Sequence, residues 1–123
     1  MPGKETTENT VINLTAFKRR AGNNAKYIRG HIDSFQRAYP RQLELVRHAA
    51  RRNDAEGLRA AAREIRSTVS TFAAELAMRA AADLEEKGSR EDFSGIEECY
   101  GAVEFEVERL CDALMTIDMG GSR

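Results

Sequence analysis

Leu58-Arg59-Ala60-Ala61-Ala62-Arg63-Glu64-Ile65-Arg66-Ser67-Thr68-Val69-Ser70-Thr71-Phe72-Ala73-Ala74 reads as a helix with two unlike faces. Leu58, Ala61, Ala62, Ile65, Val69 and Phe72 recur at steps of three and four, the spacing of one buried stripe. With Ile65 marking the core direction, Arg63 lies about 200° around the helix and points to solvent. Arg59, Arg66, Ser67 and Ser70 fall on the same outward strip as Arg63. Asp54 is the expected N-cap, with Glu56 in the first turn. The helix is expected to run to about Thr71 or Phe72.

Similar stripes flank this segment. From about Asn24 to Arg52, Ile28, Ile32, Phe35, Tyr39, Leu43, Val46 and Ala50 mark a long helix. Pro40 is expected to kink it or split it at Tyr39. Downstream, Leu76, Ala77, Ala80 and Leu84 mark another helix, ending near Lys87-Gly88, where Gly88 suits a left-handed cap. A last helix from about Arg90 to Ile117 is expected to bury Ile96, Tyr100, Val103, Val107, Leu110, Leu114 and Ile117. Upstream, a short helix capped by Asn13 or Thr15 would turn Leu14 and Phe17 inward, before a Gly22-Asn23-Asn24 turn. Residues 1–12 read as a flexible polar tail, 13–118 as the helical domain and 119–123 as a frayed end. No segment alternates with period two. The fold class is therefore all-α, an antiparallel four-helix bundle with a short extra N-terminal helix.

The stretch from Leu58 to Ala74 resembles the phosphoacceptor helix of histidine-containing phosphotransfer (HPt) domains. That pattern has an alanine, the phosphoaccepting His, any residue, Leu, Lys and Gly. Small residues then lead to a Leu or Phe and a Gly-Ala. On this frame Arg63 stands at the His, Ile65 at the Leu, Arg66 at the Lys and Ser67 at the Gly, while Phe72 and Ala74 fit the end. Asn53-Asp54-Ala55-Glu56 and Ala82-Asp83-Leu84-Glu85 also have family counterparts, and the resemblance extends from about Val11 to Leu114. It implies an HPt-like bundle with a changed site. In the family the outward strip holds the His, a phosphate-binding Lys and a Gly that lets a receiver domain come close.

Phosphotransfer needs an imidazole nitrogen with a free lone pair. A guanidinium stays protonated and has none to offer. Arg63 would thus remove this chemistry, and Ser67 adds a side chain where the family keeps Gly. The two histidines, His31 and His48, lack Lys and Gly at the family's offsets and read as surface or packing residues. They stand 17 residues apart, too far along one helix to share a metal. There is no Gly-rich phosphate loop and no Gly-x-Ser-x-Gly elbow, so no catalytic residue, cofactor or metal is expected. Glu85-Glu86 and Glu97-Glu98 read as solvated helix faces. Cys99 and Cys111 would lie roughly 18 Å apart on one helix, beyond the roughly 7 Å Cα limit of a disulfide.

Alanine abounds and Trp is absent among 123 residues that are 41% hydrophobic and 32% charged, as suits one soluble helical domain. With neither a membrane-length apolar run nor a signal-peptide core, the expected compartment is cytoplasmic and no membrane partner is expected. Charge is uneven: residues 1–66 hold 14 Lys/Arg against 7 Asp/Glu, and residues 67–123 hold 5 against 13. This points to an interaction surface or to a basic half packed on an acidic half. Nucleic-acid binding through Lys18-Arg19-Arg20 is disfavoured by the net charge of −1 and by the lack of a DNA-reading motif. Two functions remain. One is a non-catalytic pseudo-HPt module that binds a response-regulator receiver or a histidine kinase through Arg59, Arg63, Arg66, Ser67 and Ser70. The alternative is an oligomerising structural bundle without a phosphorelay role, with the charged halves or an exposed apolar stripe driving homo-oligomers.

Overall fold

The computed structural model describes residues 16, 17, 19, 22 and 24–121, with side chains described as far as Thr116. Four helices follow in order: α1 (Ala25–Arg51), α2 (Ala55–Ser70), α3 (Glu75–Ser89) and α4 (Ile96–Gly121). No strand occurs among the described residues. Each helix packs on two others, α1 on α2 and α4, and α3 on α2 and α4. The core between them holds Phe35, Val46, Leu58, Ile65, Val69, Leu84, Val103, Val107 and Leu110. No helix of the described residues is long and apolar enough to cross a membrane.

Local chemistry sets the starts of α1 and α2. Asn24 caps α1: its Oδ1 accepts from the N–H groups of Lys26 and Tyr27 at 3.0 and 3.2 Å. Asp54 caps α2 by accepting from the Gly57 N–H at 3.0 Å. Gly22, at φ 69°, donates to the Arg19 carbonyl, so a turn sits where the sequence places one. Phe17 is buried against Phe72, with ring centroids 4.9 Å apart. Asn13, Leu14, Thr15, Lys18, Arg20 and the 1–12 tail lie outside the described residues.

Pro40 does not split α1, which runs unbroken through it. Pro40 is exposed, so the hydrogen bond its missing N–H forfeits is lost on the side where water can satisfy the carbonyl. Inward residues on both sides stay in register. Phe35 stacks on Tyr39 at 5.1 Å, and Leu43 and Val46 are buried beyond. A side-chain hydrogen bond with Cys111, and then burial, push the Tyr39 phenol up to about 12. Cys99 and Cys111 are both free.

Three helix ends share one closing device. Asn53, Ala73 and Glu91 have φ of 54°, 53° and 55°, and each closes the preceding helix with a pair of backbone bonds. Asp54 N–H donates to Ala49, Ala74 N–H to Val69, and Asp92 N–H to Lys87, each the six-to-one bond of a Schellman motif. Hence α2 stops at Ser70 and Phe72 enters the core from the turn. The last helix starts at Ile96 rather than Arg90. Between α3 and α4, Asp92 Oδ1 accepts from the N–H and hydroxyl of Ser94, and Gly95 takes φ 63°. Ile96 and Tyr100 are only half-buried, and the Ile117 side chain lies outside the described residues. At the far end α4 stays helical to Gly121, across part of the expected frayed segment, with no proline or left-handed residue to stop it.

Ala73 is strained, because a left-handed conformation costs an L-residue about 1–2 kcal/mol. Glycine there adds about 0.4–1 kcal/mol of unfolded-state freedom, which is less than the strain removed. Ala73→Gly is therefore expected to stabilise the protein by roughly 0.5–1 kcal/mol, read as a higher melting temperature. A lower one contradicts the strain.

Gly88 is not the left-handed cap; Glu91 is. Gly88 is buried inside α3, where a Cβ would lie 2.7 Å from the Arg59 nitrogen and 2.9 Å from the Ala55 carbonyl oxygen. Both obstacles are backbone, so the two helices must part to admit a methyl group. Gly88→Ala gains about 1 kcal/mol of helix propensity but costs about 1–3 kcal/mol in overpacking. Net destabilisation is expected in urea unfolding, and a stabilised variant contradicts this contact.

Candidate functional site

Helix α2 places the five strip residues. Its buried row, Leu58, Ala61, Ala62, Ile65 and Val69, faces α1 and the core, and Arg63 and Ser67 are exposed on the other side. The structure divides the remaining three. Arg59 is partly exposed and pairs with Glu56 at 3.3 Å, one turn before it. Arg66 turns sideways to α3, where its Nε meets Glu85 Oε1 at 2.8 Å. That hydrogen bond and the Glu85 charge raise the Arg66 pKa above its ordinary value. Ser70 is half-buried, and its hydroxyl donates to the Ser67 carbonyl at 2.7 Å.

Arg63 differs from its neighbours. Among the described residues no carboxylate lies within ion-pair distance of it, and Glu64 makes no pair either. Its guanidinium therefore presents its donors outward as an unpaired cation, suited to a planar carboxylate or phosphate. The strip expected from the sequence is thus one available arginine flanked by two engaged ones.

Glu85 corrects a second expectation. It is no solvated carboxylate: its side chain is 19% exposed and held by Arg66 across α2 and α3. Glu86 pairs with Arg90 on the surface, and Glu97 and Glu98 are exposed. Another contact was missed from the sequence. Gln42 is buried and donates to the Thr68 hydroxyl at 3.1 Å, joining α1 to α2. Its position between Tyr39 and Val46 on the inward stripe is the signal that marks it.

A groove of about 300 Å³ runs between α1 and α2, with Ser34, Ser67, Thr68 and Thr71 along it. His31 also lines it, half-buried, with its ring edge-on to Tyr27 at 4.6 Å. His48 is exposed on α1. Among the described residues no three His, Cys, Asp or Glu side chains are grouped to hold a metal ion. No protein-family model, no curated protein and no solved structure matches this chain. What the strip does has to come from its own geometry.

Proposed function

We propose that this chain is a pseudo-HPt module, an antiparallel helical bundle that docks a receiver domain or histidine kinase without accepting phosphate. The observation that carries the reading is Arg63: exposed, without an ion pair among the described residues, and at the place where the resembled family has its histidine. A receiver presents acidic residues around its phosphorylation site, and a guanidinium fork is complementary to them. Docked there, Arg63 occupies the pocket and offers no lone pair for phosphate transfer.

Further observations support the frame. Ile65 is buried at the position of the family's Leu. Ala73 takes the left-handed conformation at the place of the family's Gly, where glycine has a physical reason to stand. Arg66 keeps the positive charge of the family's Lys but holds it against Glu85. The antiparallel arrangement is supported by Tyr39 lying beside Cys111 while Arg47, farther along α1, acts on Tyr100, earlier in α4. Phe17, buried on Phe72, supports a short N-terminal helix. A receiver partner implies a cytoplasmic protein.

The test is direct binding of receiver domains from the same genome to the wild-type chain and to Arg63→Glu. Binding by the first and its loss in the second is expected. Equal binding by both contradicts the role of Arg63.

A further inference from the structure

Charge is the property of this chain that the α2 strip leaves unused. Helix α1 carries 6 Lys/Arg against 2 Asp/Glu, and α4 carries 7 Asp/Glu against a single Arg. The two helices pack side by side, yet no ion pair joins them among the described residues. Among the described residues, the one ion pair linking the basic first half of the chain to its acidic second half is Arg66–Glu85, between α2 and α3. Among those residues the two halves therefore do not neutralise each other by direct pairing.

Where α1 and α4 meet, a groove of about 350 Å³ opens to solvent. Arg47 and Arg51 line it from α1, and Glu97 and Glu104 from α4, with half-buried Ile96 and Tyr100 between them. Opposite charges face each other there without pairing. Glu108 continues the acidic row, since 97, 104 and 108 share one side of a helix at 100° per residue. Apolar surface adjoins that row on α4: Met115, an exposed large hydrophobic residue, lies seven residues beyond Glu108 on the same side of the helix.

We propose that the α1/α4 face is a self-association surface whose occupant is a second copy of this chain. A face with a basic row beside an acidic row suits neither a polyanion nor a purely basic peptide, because each meets one row of its own sign. It suits itself. A two-fold axis running parallel to the helices lays α1 of one copy over α4 of the other, and the reverse. Rotation about that axis leaves height along it unchanged. Arg47 and Arg51 border the same groove as Glu97 and Glu104 in their own chain, and so they meet those residues of the second copy. An axis across the helices would lay α1 on α1 and α4 on α4, like charge on like. Charge therefore selects the first symmetry and closes the assembly at two copies. Helix α2 packs on α1 and α3, on the other side of the molecule from α4, so the Arg63 strip stays open. The inference does not rest on the receiver reading.

Sedimentation velocity on the full chain tests it. The wild type is expected to dimerise at low salt and to dissociate as salt rises, because the screening length falls from about 30 Å at 0.01 M to about 3 Å at 1 M. Arg47→Glu/Arg51→Glu and Glu97→Arg/Glu104→Arg are each expected to be monomeric, with dimer affinity reduced more than about tenfold. An equimolar mixture of the two variants is expected to restore the dimer, because each reversed row then meets its complement. Circular dichroism verifies that the variants fold, and the salt series on the wild type stands without them. A wild type monomeric at low salt, a dimer indifferent to salt, or folded variants that do not complement each other overturns the proposal. None of these results touches receiver binding through α2, which the same variants retain if that reading holds.

Discussion

Phe72→Ala lowers the unfolding free energy by about 3–5 kcal/mol, the usual cost of emptying a phenylalanine site in a core. Phe72 is 1% exposed although it sits in the turn after α2. Its ring lies 4.9 Å from that of Phe17 and 5.4 Å from that of Phe35. Each such aromatic pair adds about 0.5–1.5 kcal/mol beyond area burial. A domain has only about 5–15 kcal/mol of stability in all, so this one change removes a large share of it. Urea unfolding followed by circular dichroism measures the loss, and a change below about 1 kcal/mol contradicts the packing described. Phe72→Leu keeps most of the buried volume and is expected to cost far less.

Arg63→Glu is expected to weaken the proposed receiver binding by about 2 kcal/mol or more, roughly thirtyfold in Kd, while leaving stability nearly unchanged. Both parts follow from the exposed, unpaired guanidinium. Removing it breaks no ion pair among the described residues, and surface changes of this kind stay within about 0.5 kcal/mol. In the complex it would face desolvated carboxylates, where a reversed charge repels. Arg63→Lys keeps the charge but loses the two-pronged donor geometry, so it is expected to bind with intermediate affinity. Calorimetric titration of one receiver with the three proteins measures this order. An unchanged Kd for the glutamate variant contradicts it.

The periodic features of the fold were legible in the sequence. Ile65 inward and Arg63 outward, Asp54 as a cap, a turn at Gly22 and Phe17 in the core all depend on neighbours a few residues away. Features that failed depend on distant partners or on conformation. Gly88 looks like a helix stop until Arg59 and Ala55 are found against it. Ala73 and Glu91 carry no glycine to announce their left-handed turns. Pro40 signals a kink or a split, and of these the split does not occur: an exposed position and well-packed flanks let the helix continue. The candidate site shows the same division. Its strip is a matter of helical phase, whereas the pairing of Arg66 with Glu85, 19 residues on, is tertiary. That pairing is what leaves Arg63 as the available cation.

Phosphotransfer in the presence of a bound receiver tests the central claim most directly. The chain is incubated with a labelled phospho-receiver or sensor kinase, alongside a pull-down of receivers from the same genome. The account predicts capture of a receiver with no label on this chain. Label that survives base and is lost in acid would place phosphate on His31 or His48 and contradict it.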